Sequence, residues 1–396
     1  MLLGISKNRQ SGAVSIFIVI FLTLLVSVVT VSFVRVMLND QQQATNSDLS
    51  HSAYDSAQAG VEDAKRALMK YKSLCGTIPV QSGCTAAYKA AFGATQTCNS
   101  GVKTLTDLSS SSASEVKVNS GDTSDKYDQA YTCTLINLNT PDYLGQLSSD
   151  QSIIIPLSGV GAFSQVQIEW FSSKDLSTSD LSKTSLVTTA EANSGKPLLQ
   201  KSDWKSNMPP IMRAQLIQFG SSFTLSNLDN PVGGTSDANT LFLYPSGVAN
   251  STAATTTNTS FINDVRRVGT KSPTVVNCKG SLTSGGYACT TIINLPNPVN
   301  GGTRTAFLRL TSLYNKANYR VTMPGTTFDG VQPEIDSTGR ANNLFRRVKS
   351  RVELVDTNFP FPDAAVDITG NLCKEFKITD NTDDYAGLNS ASTCTP

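Results

Sequence analysis

The sequence predicts an α+β protein. A long amino-terminal helix, transmembrane in its first third, packs on a β-rich extracellular domain that includes a sandwich-like region and disulfides. Three observations carry this. The run AVSIFIVIFLTLLVSVVTVSFV (residues 13–34) has neither charge nor proline, and a proline-free helical rhythm continues from Arg35 to about Leu74. All eight cysteines lie downstream of that run. From residue 151 onward, short apolar runs alternate with connections rich in Ser, Thr, Asn and Gly.

At 1.5 Å per residue the apolar run spans about 33 Å, enough to cross a bilayer's hydrocarbon core. It is longer than the apolar region of a cleaved secretory signal, and it leads into Arg35–Met37 rather than a small-residue cleavage pattern. Lys7 and Arg9 precede the run, and Arg35 alone sits close on the far side. The positive-inside rule therefore puts the start in the cytoplasm and Cys75 onward outside. Thr23, Ser27 and Thr30 form one face of small polar side chains. Such a face supports close helix packing in lipid; equally, the hydroxyls bond back to their own helix.

Beyond the membrane, Leu49, Ala53, Ala57, Val61, Ala64, Leu68 and Tyr71 follow a 3.6-residue period, an Ala-rich stripe suited to packing against a sheet. Glu62 and Arg66 stand at an i,i+4 spacing that favours pairing, and Lys65, Arg66, Lys70 and Lys72 suit the helix's carboxy-terminal end. Cys75-Gly76 and Pro79 mark the stop.

The cysteines show no C-x-x-C metal or redox spacing, and their even number points to disulfides in an oxidising compartment. Sequence-adjacent pairing is expected, Cys75 with Cys84, Cys98 with Cys133, Cys278 with Cys289 and Cys373 with Cys394, because each pair brackets a short polar loop. With 32 Lys+Arg against 31 Asp+Glu, net charge argues for neither nucleic acid nor acidic substrates.

RQSGAVSIFIVIFLTLLVSVV resembles the amino terminus of type IV prepilins of the minor-pilin kind. The stretch carrying Ala57, Gly60, Glu62 and Ala64 resembles the A-x-x-G-x-E-x-A pattern of the same proteins. The resemblance covers roughly the first 70 residues. It implies a basic leader, Met1–Gly12, removed by a prepilin peptidase between Gly12 and Ala13. It also implies a helix that anchors the subunit in lipid and later packs among other pilins. Two positions depart from the family. Phe17 stands where the assembly glutamate is usual, and Val34 where a helix-bending proline is usual. Lack of that glutamate is associated with initiating or tip subunits rather than the filament body.

The downstream chain divides into a Cys/Ser-rich polar region (75–150), a β-rich extracellular domain (151–372) and a carboxy-terminal disulfide loop (373–396). The polar region, with its SSSSAS run, reads as disulfide-held loops with little regular structure. Strands are expected at Ser152–Leu157, Gln165–Phe171, Ile211–Gly220, Thr240–Pro245, Tyr287–Leu295, Thr305–Tyr314 and Tyr319–Met323. Leu176–Met208 reads as a polar excursion, and Asn250–Ser260 as part of a long flexible loop. Val331–Val355 reads as a hairpin turning at Ser-Thr-Gly-Arg, like that near the end of minor pilins. Its Arg347, Lys349 and Arg351 share a face that is either a DNA-phosphate contact or, preferred here, the charged face of an edge strand. The DNTDDY stretch (380–385) lacks the Gly and distal Glu of a calcium loop and reads as a solvated turn.

No phosphate-binding loop, zinc motif or nucleophile elbow is present, and the chain has a single histidine, His51. The expectation is a non-enzymatic, cofactor-free pilin-like subunit whose partners are membrane lipid, other pilins and a prepilin peptidase. The alternative is an uncleaved, single-pass binding protein that recognises a surface ligand or DNA.

Overall fold

The computed structural model describes residues 11–75, 83–93, 96–106, 108, 114–118, 127–176, 184, 186, 201–218, 238–248, 251–260, 273–300 and 306–354. Helix α1 (Ser11–Cys75) runs unbroken for 65 residues, about 98 Å at the standard rise. It is followed by two short helices, α2 (Ala86–Ala90), whose first turn is capped by Thr85, and α3 (Ser100–Leu105).

The strands begin with β1 (Val116–Lys117), β2 (Ala130–Thr140), β3 (Asp142–Leu147), β4 (Ser152–Pro156) and β5 (Phe163–Ser172). Next come β6 (Ile211–Gln218), β7 (Ala238–Ser246), β8 (Thr257–Ser260) and β9 (Thr274–Asn277). The described strands end with β10 (Tyr287–Val299), β11 (Ala306–Leu313), β12 (Ala317–Thr322), β13 (Phe328–Ala341) and β14 (Leu344–Arg351).

These strands make three sheets. The first, ordered β1-β2-β13-β14, is antiparallel throughout and carries the carboxy-terminal part of α1. Val61, Ala64, Ala67 and Leu68 of the helix share a core with Val102 and Leu105 of α3, Tyr131 and Ile136 of β2, and Ile335 of β13. The second sheet is ordered β3-β12-β5-β10-β8 and the third β4-β11-β6-β7-β9. They share one buried cluster, to which Ile168, Trp170, Ile293 and Val321 come from the second and Ala214, Leu216, Leu243 and Leu308 from the third. All of β3 to β12 falls between β2 and β13 in sequence. Because Thr140 pairs with Phe328 across β2 and β13, the chain leaves the first sheet and returns to it at adjacent points.

Three cysteine pairs, Cys75–Cys84, Cys98–Cys133 and Cys278–Cys289, are disulfides, as adjacent pairing predicts. The Cys373–Cys394 pair, the DNTDDY stretch and most of the leader lie outside the described residues.

Four local expectations need correction. The stretch 75–150 holds α3, β2 and β3 rather than loops alone. The apolar alternation of β2 is masked by Thr134, which is buried and hydrogen-bonded to Ser337 at 3.1 Å. Within the supposed flexible loop, Thr257–Ser260 forms an edge strand parallel to β10, held partly by side chains. Thr291 Oγ1 donates to Thr257 O at 3.0 Å, and Asn294 Nδ2 to Thr259 O at 3.2 Å. A polar strand satisfied in this way carries no hydrophobic signal. Ser337–Arg340 lies inside β13, and the hairpin instead turns at Asn342-Asn343, with Asn342 at φ 49°. On the helix, Arg66 pairs with Asp63 at 3.0 Å, while Glu62 takes Lys65 at 2.6 Å.

Candidate functional site

Helix α1 presents two surfaces with different chemistry. Residues 15–48 are exposed along their whole length, including Phe17 at 74 % and Phe21 at 69 %. The helix is long and apolar enough to cross a membrane, and none of its most apolar stretch is covered by the rest of the chain. An apolar surface of this extent is costly in water and marks a contact with lipid or protein. Within it Thr23 Oγ1 donates to Ile20 O at 2.9 Å, Ser27 Oγ to Leu24 O at 2.8 Å and Thr30 Oγ1 to Val26 O at 2.8 Å. Each hydroxyl is therefore satisfied by its own helix, which removes the penalty of a bare donor in an apolar medium. Gly12 and Ala13 lie in the first turn of α1, and Phe17, one turn further on, is exposed.

From Leu49 the second surface begins. Ala53, Ala57, Val61, Ala64 and Leu68 of the expected stripe are at most 1 % exposed, while Leu49 and Tyr71 at its ends are half-buried. The docking is close because glycines meet side chains and backbone at the crossing. A Cβ on Gly60 would come within 2.7 Å of Thr134 Oγ1 and 3.0 Å of the Tyr131 ring. A Cβ on Gly339 of β13 would collide with the α1 backbone at Ala53 O and Ala57 N. Polar contacts flank this seam. Tyr131 Oη donates to Asp63 Oδ2 at 3.0 Å, and Arg346 Nε to Ser50 Oγ at 2.8 Å. Burial, followed by the Asp63 charge, pushes the Tyr131 phenol far up, so it stays a neutral donor.

The inserted sheets are tied to this unit beside the crossover. The Gln332 side-chain amide accepts from Leu144 N at 2.9 Å and donates to Leu144 O at 2.7 Å, acting as a strand partner on the edge of β3. Tyr143 Oη donates to Glu353 at 2.8 Å, and Arg351 Nη2 to Asp142 at 3.1 Å. Blocking a sheet edge this way suppresses unwanted pairing. Sequence reading missed both Gln332 and Gly339. A glycine following Ser-Thr reads as a turn, and nothing local marks an amide that reaches a residue 188 positions away.

The structure sets the basic stripe opposite acids of the adjacent strand. Arg347 is doubly hydrogen-bonded to Asp336. Lys349 reaches Glu334 at 3.0 Å, and Arg351 contacts Glu334 at 3.3 Å as well as Asp142. A phosphate arriving there competes with carboxylates already in place. His51 lies exposed on α1, and no metal-competent group of three His, Cys, Asp or Glu exists among the described residues. Comparison with family models, curated proteins and solved structures returns no match.

Proposed function

We propose that this chain is a non-enzymatic, pilin-like minor subunit of a type IV filament or related assembly. It is anchored in the membrane by the first part of α1 and incorporated through the same segment once the leader is removed between Gly12 and Ala13. The observation that carries this reading is the division of labour along one continuous helix. Its amino-terminal part is apolar and entirely uncovered, while its carboxy-terminal part is buried against a four-stranded antiparallel sheet. A helix built this way exchanges lipid for neighbouring helices without disturbing the folded body, because the body touches only the far end.

Phe17 supports a role at the start or tip of the filament, since no carboxylate there pairs with a neighbour's terminal amine. The disulfides support an oxidising, extracytoplasmic location for the body. The two five-stranded sheets make a sandwich-like head, inserted into the first sheet at the end of β2, that offers a surface for adhesion. The neutralised stripe at Arg347, Lys349 and Arg351 favours an edge-strand role over DNA contact.

Mass spectrometry of the protein purified from membranes tests the reading. The expected result is a chain starting at Ala13 with a methylated amine, and an unprocessed but still membrane-inserted product for Gly12→Val. An intact Met1 in the wild type overturns the reading in favour of a permanently anchored binding protein.

A further inference from the structure

On the outer face of the third sheet, Arg213 Nε and Gln215 Oε1 find no hydrogen-bond partner among the described residues. On β6 and β11 the side chains of Met212, Ala214, Leu216, Leu308 and Leu310 turn into the core, so Arg213, Gln215, Arg309 and Thr311 alternate to the other side. The register sets Arg213 beside Thr311 on one flank and Phe242 on the other, and sets Gln215 between Arg309 and Thr240. One end of this face is roofed by the segment 201–210, whose Trp204 and Met208 pack on Ile211 and Tyr244.

Arg213 is half-buried, and its hydrogen bond runs from Nη2 to Thr311 Oγ1 at 3.2 Å. Its Nε is buried without a partner, and no carboxylate pairs with it among the described residues. Two positions along the strand, Gln215 donates through Nε2 to Thr240 Oγ1 at 3.5 Å while its Oε1 is buried with no donor facing it among the described residues. Burial and the neighbouring Arg309 charge both press the Arg213 guanidinium toward a lower pKa, as expected of a cation lacking its anion. Buried polar groups are otherwise paired in folded proteins, and an arginine without a carboxylate beside a second arginine is costly to keep. The unfinished atoms also specify what would complete them. Arg213 needs an anionic acceptor in its plane. Gln215 needs a hydroxyl, which as donor and acceptor satisfies the amide in either orientation.

We propose that this face binds a hydroxylated carboxylate, the chemistry of an acidic sugar, with the carboxylate on the Arg213 guanidinium and a hydroxyl on the Gln215 amide. Thr311 fixes the arginine's orientation. The site rests on the sheet's own residues and holds whether or not the chain assembles into a filament.

The test uses the full chain in detergent micelles, titrated calorimetrically with D-glucuronate, D-glucose and inorganic sulfate. Glucuronate is expected to bind and to weaken as salt is raised, with glucose failing to bind and sulfate binding about tenfold more weakly. Arg213→Gln is expected to lower glucuronate affinity about tenfold or more. Gln215→Met, which keeps the side chain's size, is expected to weaken glucuronate and leave sulfate unchanged. Absence of glucuronate binding, equal binding of glucose or sulfate, or unchanged affinity in Gln215→Met overturns the proposal. The Gln215 variant decides the matter if Arg213→Gln fails to fold.

Discussion

Asp150 holds a loop by charge. Its carboxylate accepts from Lys201 Nζ at 2.5 Å and from the Tyr314 backbone N–H at 3.1 Å, joining the segment that carries Trp204 to the loop after β11. The Lys201 contact, then the Tyr314 N–H, hold this carboxyl below the ordinary aspartate value. A depressed folded pKa means that the stabilisation is complete above the unfolded value of about 3.9 and is lost as pH falls through the lower folded one. Below roughly pH 4 the Trp204 segment is therefore expected to loosen. Trp204, now packed against the rings of Tyr244 and Tyr314, should shift its emission to the red, with Trp204→Phe separating its signal from that of Trp170. Asp150→Asn should show the acid-like emission at neutral pH; a signal in that variant matching the wild type at both pH values contradicts the argument. The same residue-scale logic explains why the basic stripe reads differently in sequence and in space. Arg347, Lys349 and Arg351 are conspicuous along β14, but Glu334 and Asp336 come from the opposite strand of the hairpin.

Helix α1 and strand β13 meet as elements through the absence of side chains. Gly339 presents only hydrogen toward Ala53 and Ala57, and Gly60 presents only hydrogen toward β2. Each added methyl forces the two elements apart, and every buried Ala on the stripe then loses contact at once. Gly339→Ala is expected to destabilise the body by about 1–3 kcal/mol, read as a lower denaturant midpoint with unchanged slope. A midpoint equal to the wild type's would mean that the helix shifts freely on the sheet. The Ala-rich period of α1 announces a close partner in sequence, but the partner's glycine is recognisable only after β13 is laid across it. Strands with uninterrupted alternation, β5 above all, are legible in sequence because Val166, Ile168 and Trp170 face one core. Strand β2 is not, because Thr134 occupies an inward position and finds its hydroxyl partner on another strand.

At the scale of the whole molecule, one unit interrupts another. The core beneath α1 draws its buried residues from positions 61–136 and from Ile335 and Leu354, with none from β3 to β12. Thr140 and Phe328 are direct partners across β2 and β13, so a two-residue turn can join them. Replacing residues 141–327 by Asn-Gly is expected to leave a helix-and-sheet unit that unfolds cooperatively and retains the Cys98–Cys133 disulfide. Loss of cooperative unfolding would mean that the inserted sheets are needed to fold the unit that carries them. The ties at Gln332, Glu353 and Arg351 then serve to hold the insert in place rather than to stabilise the helix.

By itself, the sequence determined the continuous apolar-to-amphipathic helix, the adjacent pairing of its described cysteines and most of the strands. Each depends on spacing within a few residues or on a short covalent loop, and local periodicity records both. Only the tertiary structure decided that β2 belongs with β13 under the helix, that a glycine in β13 is a point of close approach rather than a turn, and that the basic stripe is already neutralised. Tertiary structure also decided that Arg213 and Gln215 share a face, with Arg213 Nε and Gln215 Oε1 left without a partner among the described residues. Those features join residues as far apart in the chain as Ala53 and Gly339, where packing and hydrogen-bond geometry select partners and no periodicity along the chain can record them.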